Sequence, residues 1–270
     1  MNINDMDFVY IIKPGEKGTE LRYSLRSIAK HYPNHKVWIV GYKPDWIINV
    51  NYLPVEQCQT KWKNSTHNVI EACKCNEISD NFILMNDDFF AINPTIPLEE
   101  LIDSNLDLLD TLVTRYKRKK EEWYISFEYA KELLEELKVE GPLYSYEAHI
   151  PLRINKKKFL EVMNLPAVQK FMQTTKVLQK RTIYKNIDKP KKSISLKDDT
   201  KVTLKKDDSK RCLNVCGWLS TADDLIGNSK FYNLNQILKN TLSQPCIYES
   251  DQKQTIPDIK PKQKHNYINF

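Results

Sequence analysis

Phe82-Ile83-Leu84-Met85 is an apolar run that halts at Asn86-Asp87-Asp88, and this break constrains the fold more than any other stretch of the chain. An apolar run without polar alternation belongs to a strand covered on both faces, the habit of parallel sheets in α/β proteins. Two adjacent carboxylates directly after such a strand are costly unless they are solvated, paired or metal-bound.

The residues upstream alternate between strand and helix patterns. Residues 7–13 (DFVYIIK) read as a strand ended by Pro14-Gly15. Leu21, Leu25 and Ile28 then recur at helical spacing from an N-cap at Thr19, and Pro33-Asn34 closes that helix. Residues 37–42 and 50–55 predict two more strands, a helix runs from Ser65 or Thr66 to Cys75, and residues 81–90 predict the next strand. This order predicts an α/β fold with an open, mostly parallel sheet flanked by helices. Ligands of such sheets bind at the carboxyl ends of the strands, which puts Lys13, Gly41 and Asp87-Asp88 on one edge.

The second half predicts a helix from Ser126 stopped by Gly141-Pro142, another capped by Asn155, and a third opened by Pro166 that reaches about Lys180. Residues 186–211 are rich in Lys and Asp, carry a weak hairpin pattern around 197–204, and read as an excursion from the domain. We therefore expect one domain over residues 1–250, with a nucleotide and metal half (1–95), an acceptor half (96–250) forming a helical basic elaboration, and a polar tail over 251–270.

Charge is unevenly spread. The net charge is +6, yet residues 151–211 alone hold eighteen Lys or Arg against six Asp or Glu. That excess points to an anionic partner such as a phosphorylated acceptor, nucleic acid or a membrane surface, weighed against a solvated Lys-rich insertion. No apolar run approaches the ~18 residues of a membrane span. No basic region precedes the first apolar run, so a cytoplasmic protein is expected. Cys73-x-Cys75 and Cys212-x3-Cys216 lie too far apart for a zinc framework, and reduced structural thiols are expected. The fingerprints of dinucleotide enzymes, P-loop enzymes, zinc proteases and Ser hydrolases do not occur.

Several side chains are chemical candidates. Asp87 and Asp88 offer hard oxygen ligands for Mg²⁺ or Mn²⁺ on a short turn, the alternative being a plain turn. His149 suits a general base for an acceptor hydroxyl or a phosphate partner, or else a packing histidine. Arg181 is a bidentate phosphate clamp or a helix-terminal charge. Arg22 and Arg26 share a helix face and are expected to be solvated, with phosphate binding by Arg22 the rival reading. Lys61, Asn68 and Asn86 are candidates for nucleotide contact. Asp223 and Asp224 are a second metal ligand, a catalytic base or a helix cap, and spacing does not choose.

Glu20-Leu21-Arg22-Tyr23-Ser24-Leu25-Arg26-Ser27, followed by Val37-Trp38-Ile39-Val40 and Pro44-Asp45-Trp46, resembles the second conserved block of the Stealth family of sugar-phosphate transferases. Asn68-Val69-Ile70-Glu71 and the NDDFF of residues 86–90 continue the resemblance, which spans residues 19–92. Glu147-Ala148-His149-Ile150-Pro151-Leu152 is similar to the third block, Arg181-Thr182-Ile183-Tyr184-Lys185-Asn186 to the segment after it, and Ser220-Thr221-Ala222-Asp223-Asp224-Leu225 to the fourth, with Ala222 in place of the family's Asn. Ile11-Ile12-Lys13-Pro14-Gly15 departs from the first block. The resemblance implies a glycosyltransferase A-like core, a metal at Asp87 and Asp88, and a nucleotide-sugar donor, with UDP the nucleotide expected. It also implies transfer of a sugar phosphate, where the core alone permits transfer of a sugar. The acceptor is expected to be a glycan hydroxyl; the rivals are modified viral DNA and an inactive binding module of the same fold.

Overall fold

The computed structural model describes residues 3–15, 18–222 and 225–250. The first half is built as β1 (Asp7–Ile12), α1 (Thr19–His31), β2 (Val37–Gly41), β3 (Asn51–Pro54), α2 (Lys61–Lys74), β4 (Asn81–Met85) and β5 (Phe89–Ala91). The short α3 (Leu98–Leu101) leads to an antiparallel pair, α4 (Leu109–Tyr116) and α5 (Glu122–Glu136). Then follow β6 (Leu152–Asn155), α6 (Lys156–Met163), α7 (Pro166–Met172), α8 (Lys180–Ile187), β7 (Lys201–Val202), α9 (Ser209–Cys216), β8 (Trp218–Thr221) and α10 (Tyr232–Leu242).

The main sheet has the order β3-β2-β1-β4-β6. Its first four strands are parallel, and β6 is antiparallel to β4 with Phe82 opposite Ile154. Alternate side chains feed two cores. Val9, Val40, Phe82 and Leu84 pack on Val69 and Ala72 of α2 and on Phe159 of α6. Phe8, Tyr10, Ile39 and Ile83 pack on Leu21, Leu25 and Ile28 of α1. Burial on both faces is why these strands read as continuous apolar runs. A second sheet of order β5-β8-β7 carries a third core with α9 and α10.

The strand expected over residues 81–90 is two strands. β4 belongs to the main sheet and β5 to the small one, and Asn86-Asp87-Asp88 is the turn that crosses between them. The helix expected from Pro166 to about Lys180 also divides. Thr174 Oγ1 donates to the Phe171 carbonyl at 2.7 Å, giving the chain a local alternative to helix where two β-branched Thr already disfavour it. Residues 197–204 form no hairpin; Lys201 and Val202 pair in parallel with Ser220 and Thr221 of β8.

Nor are residues 186–211 a solvated excursion. The Asn105 amide donates to the Ile194 carbonyl, the Leu196 amide donates to the Asn105 carbonyl, and Leu196, Thr200 and Val202 are buried. Arg22 and Arg26, expected to be solvated, are buried against Glu249. Arg22 Nη1 donates to Glu249 Oε2 at 2.6 Å, and Arg26 Nε donates to Oε1 at 2.7 Å. Burial raises the Glu249 pKa, but these bonds outweigh it and hold the carboxyl below its ordinary value. The triad fastens the end of the described chain to α1. The expected tail over 251–270 lies outside the described residues.

Candidate active site at the carboxyl edge of the sheet

β1, β2 and β4 end on the same edge, and the polar groups gather there. Gly41 closes β2 with φ +101°, where a Cβ would sit 2.5 Å from both Gln57 Nε2 and the Ile12 carbonyl and 2.7 Å from Asn68 Nδ2. Only glycine allows that approach. Gln57 Nε2 donates to the Ile12 carbonyl at 2.8 Å. Asn68, two turns into α2, is 1% exposed, and its Oδ1 has no hydrogen-bond partner. Lys61, at the start of the same helix, is exposed and lies over the Trp62 ring at 4.5 Å.

The turn after β4 is pinned from below. Tyr10 hydroxyl and Ser24 Oγ are 2.9 Å apart, and Ser24 donates to the Phe89 carbonyl at 2.6 Å. Asn86, Asp87 and Asp88 are half-buried on this support. Asp88 Oδ2 accepts from Ser220 Oγ at 2.6 Å and lies 3.5 Å from Lys201 Nζ. Both partners come from the small sheet, so the crossing of the chain between sheets is what brings Asp88 to them.

His149 precedes β6 and is gripped by the segment before β7. Its Nδ1 lies 2.6 Å from Asp199 Oδ2, its amide donates to Asp199 Oδ1 at 3.1 Å, and Thr200 Oγ1 donates to its carbonyl at 2.6 Å. Burial raises the Asp199 pKa, but the His149 contacts more than offset this and hold the carboxyl below its ordinary range. An ionised Asp199 accepts hydrogen bonds only, so in the neutral ring the proton sits on Nδ1 and Nε2 carries the lone pair. The His149 ring stands edge-on to Phe89, the residue that follows Asp88, with centroids 6.5 Å apart.

Arg181 is the cation beneath this group. It donates from Nη1 to the Ala148 carbonyl at 2.9 Å and from Nη2 to the Ile150 carbonyl at 2.6 Å, clasping the chain on both sides of His149. Its buried Nε has no partner. Burial lowers its pKa, offset by the charges of Glu147, Asp199 and Asp88, so all three carboxylates lie in its field. The neighbouring Lys180 donates to Ser65 Oγ of α2 at 2.8 Å, and burial pushes its pKa down to about 8.

The structure thus gathers Asp88, His149 and Arg181 around one locus. Arg22 is committed to Glu249 and stacks over Trp46 at 3.9 Å. Asp223 and Asp224 lie outside the described residues. Asp199, Lys180 and Lys201 carry no mark in the sequence, because each acts through a partner on a distant segment.

Among the described residues, no three His, Cys, Asp or Glu side chains converge as a metal-binding group. Asp87 and Asp88 supply two half-buried carboxylates after a strand end, with no thiol beside them in sequence. That donor set suits Mg²⁺ or Mn²⁺, which bind through one or two carboxylates and complete their shell with water and substrate phosphates. All six cysteines are free thiols. Among the described residues, no helix is long and apolar enough to cross a membrane.

No family model matches the sequence, and neither does any curated protein. Solved structures do match. The bifunctional glycosyltransferase WbbM, in its apo structure, is 10% identical, covers 87% of this chain and superposes with a TM-score of 0.51; the chain spans 50% of WbbM. The galactosyltransferase LgtC, solved in complex with donor and acceptor sugar analogues, is 10% identical over 89% of this chain and 98% of its own, with a TM-score of 0.50. At such low identity these likenesses speak for architecture. The chain has a glycosyltransferase A-like fold, with the Asp88, His149 and Arg181 cluster at the carboxyl edge of its mostly parallel sheet.

Proposed function

We propose that the chain is a metal-dependent transferase that moves a sugar or sugar phosphate from a nucleotide-sugar donor to a glycan hydroxyl. The observation that carries this reading is the meeting of Asp88, the His149–Asp199 pair and Arg181 at the carboxyl edge of a glycosyltransferase A-like sheet. Asp87 and Asp88 would hold Mg²⁺ or Mn²⁺, which when bound neutralises charge on the donor phosphates. Asn68, with its unpartnered buried Oδ1, faces the nucleotide in this reading, and Lys180 meets a phosphate oxygen. Asn86 and Lys61 border the donor. Arg181 is a positioning residue that holds the His149 loop and balances its carboxylates. Asp223 and Asp224 remain candidates for a second acid or base.

The acceptor hydroxyl gives its proton to His149 Nε2, and Asp199 stabilises the resulting imidazolium. For sugar transfer, the acceptor oxygen bonds to the anomeric carbon and the bond to the nucleoside diphosphate breaks, with its electron pair leaving on the phosphate oxygen. For sugar-phosphate transfer, the acceptor oxygen bonds to phosphorus, and the nucleoside monophosphate leaves. The Stealth-like motifs over residues 19–92 favour the second course. With a UDP-sugar, release of UMP marks phosphate transfer and release of UDP marks sugar transfer.

Nucleic acid is the weaker acceptor. Five of the eighteen cations of the basic segment are held by partners within the chain: Lys156 by the Cys75 and Ile78 carbonyls, Arg153 and Lys185 by Asp103, Arg181 by loop carbonyls, and Arg211, at the surface, by Asp198 and Asp208. The deciding experiment is a thermal-shift screen of nucleotide sugars with and without Mn²⁺. One donor should stabilise the protein only when the metal is present. A flat response from every donor under both conditions would sink the reading.

A further inference from the structure

A small cavity of about 240 Å³ opens beside His149. Its near wall is His149, Asp199 and Glu147, and its far wall is Tyr116 of α4 with Trp123 and Tyr124 of α5. It is smaller than the roughly 300–1,000 Å³ of sites for drug-sized ligands, and fits one monosaccharide ring rather than an extended chain.

The far wall is fixed in orientation. Tyr116 and Tyr124 lie with ring centroids 4.6 Å apart, and Trp123 is stacked on Trp62 of α2 at 5.3 Å and 19°. Phe127, buried one turn further along α5, packs on both Tyr116 and Trp123. Yet Tyr116, Trp123 and Tyr124 all stay half-buried, although a purely structural cluster gains by closing over them. Rigid half-exposed rings facing carboxylates are a surface for a ligand with one apolar face and a rim of hydroxyls.

The charges around the cavity select among such ligands. Asp107, Glu147, Asp198 and Asp199 line it against Arg115 and Lys197. Asp107 holds Arg115 at 2.6 Å, and Asp198 is paired with Arg211. Glu147 Oε1 accepts only a backbone amide, that of Thr182 at 3.2 Å, and Glu147 Oε2 is left for a further donor. The four carboxylates outnumber the two cations of the lining, with Lys180 and Arg181 behind Glu147 offsetting part of that charge, so a phosphate gains little here while sugar hydroxyls donate to the carboxylates.

We propose that this cavity is the acceptor subsite, and that it takes an uncharged pyranose residue with its ring over Tyr124 and Trp123 and its hydroxyls toward Glu147 and the His149–Asp199 pair. The role as acceptor site rests on the transferase reading; the binding of a neutral pyranose does not. It differs from what the net charge invites, an anionic acceptor drawn to the basic half of the chain.

The test is saturation-transfer NMR on the full chain with a panel of methyl hexopyranosides, their N-acetylated analogues and the matching 6-phosphates. At least one neutral pyranoside should bind saturably and more tightly than its phosphate. Tyr124→Ala should weaken it by roughly tenfold. Trp123→Phe, which keeps a ring on Trp62, should weaken it less and controls for folding. The proposal is overturned if no neutral pyranoside binds, if the phosphates bind more tightly, or if folded Tyr124→Ala binds equally well. The Mn²⁺-dependent donor shift is read on the same samples. Pyranoside binding without any donor response breaks the transferase reading and leaves the cavity; a donor response without pyranoside binding does the reverse.

Discussion

The two edges of the main sheet use similar residues to opposite ends. At the amino edge of β4 lies the larger cavity, about 1030 Å³, walled by Asn81, Asp103, Arg153, Tyr184, Lys185 and Asp188 among others. Several of its polar groups answer one another. Asp103 takes both Arg153 and Lys185, Asn155 Nδ2 donates to Asn81 Oδ1, and the Tyr184 hydroxyl donates to Asp188 while accepting from the Asn155 amide. At the carboxyl edge the openings are smaller, but buried atoms are left over: Asn68 Oδ1, Arg181 Nε and Thr221 Oγ1 have no partner, three of six such atoms among the described residues. Buried polar groups are nearly always satisfied, so each leftover calls for a partner, a water or a ligand among them. Cavity volume points to the amino edge, whereas Asn68 Oδ1 and Arg181 Nε lie at the edge where the sheet topology puts ligands.

That contrast is breakable by mutation. His149→Gln at the carboxyl edge should lower kcat by roughly 10²–10⁴-fold, the range of a lost general base, while the melting temperature and the Mn²⁺-dependent donor shift stay close to wild type. Single-turnover kinetics beside a melting curve measures both. A large loss of stability with kcat preserved would make His149 a packing residue.

Asp103→Ala at the amino edge should do the reverse. Lys185 and Asp103 are paired at 2.6 Å with both side chains almost wholly buried. Removing the acid strands a cation, a change of about 3–5 kcal/mol in systems where one partner of a buried pair is deleted. Urea unfolding should show that loss, and the protein still folded should keep its donor response. A variant of normal stability that no longer answers the donor would move the site to the larger cavity.

The two edges also differ in how far they could be read from sequence. Strands β1, β2 and β4 were legible because burial on both faces leaves continuous apolar runs, and Asn86-Asp87-Asp88 stood out because it ends one of them. The partners of that turn were not legible. Ser220 lies 132 positions from Asp88, and Asp199 lies 50 from His149 inside a stretch whose Lys and Asp content reads as solvated surface. Nothing local separates Asp199, which holds His149, from Asp198, which pairs with Arg211. The same blindness made Arg22 and Arg26 look solvated, since their acid stands 227 and 223 positions away. Short-range pattern reports burial; it does not report which distant charge a side chain will meet.

The smallest expected effect concerns Lys180, which bridges α8 to Ser65 one turn before Asn68. Burial brings its pKa down to about 8 from an ordinary 10.5. Below pH 8 the group is charged and able to hold a donor phosphate; above it the charge is lost, so donor affinity should fall as pH rises through 8. Stability should move the other way. Between the folded and unfolded pKa values the unfolded chain binds more protons, so the fold gains stability from about pH 8 to about 10.5 and loses it as pH falls through that window. Opposite slopes for binding and stability are the signature of a half-buried cation kept for a ligand. Donor titrations and urea melts across pH 7–10 read both, and Lys180→Met should abolish the fall in donor affinity and remove its own share of the stability slope, leaving that of Lys185, whose pKa burial brings down to about 7. If the variant keeps the wild-type fall in donor affinity, Lys180 only fastens α8 to α2, and the donor phosphate is held elsewhere along the carboxyl edge.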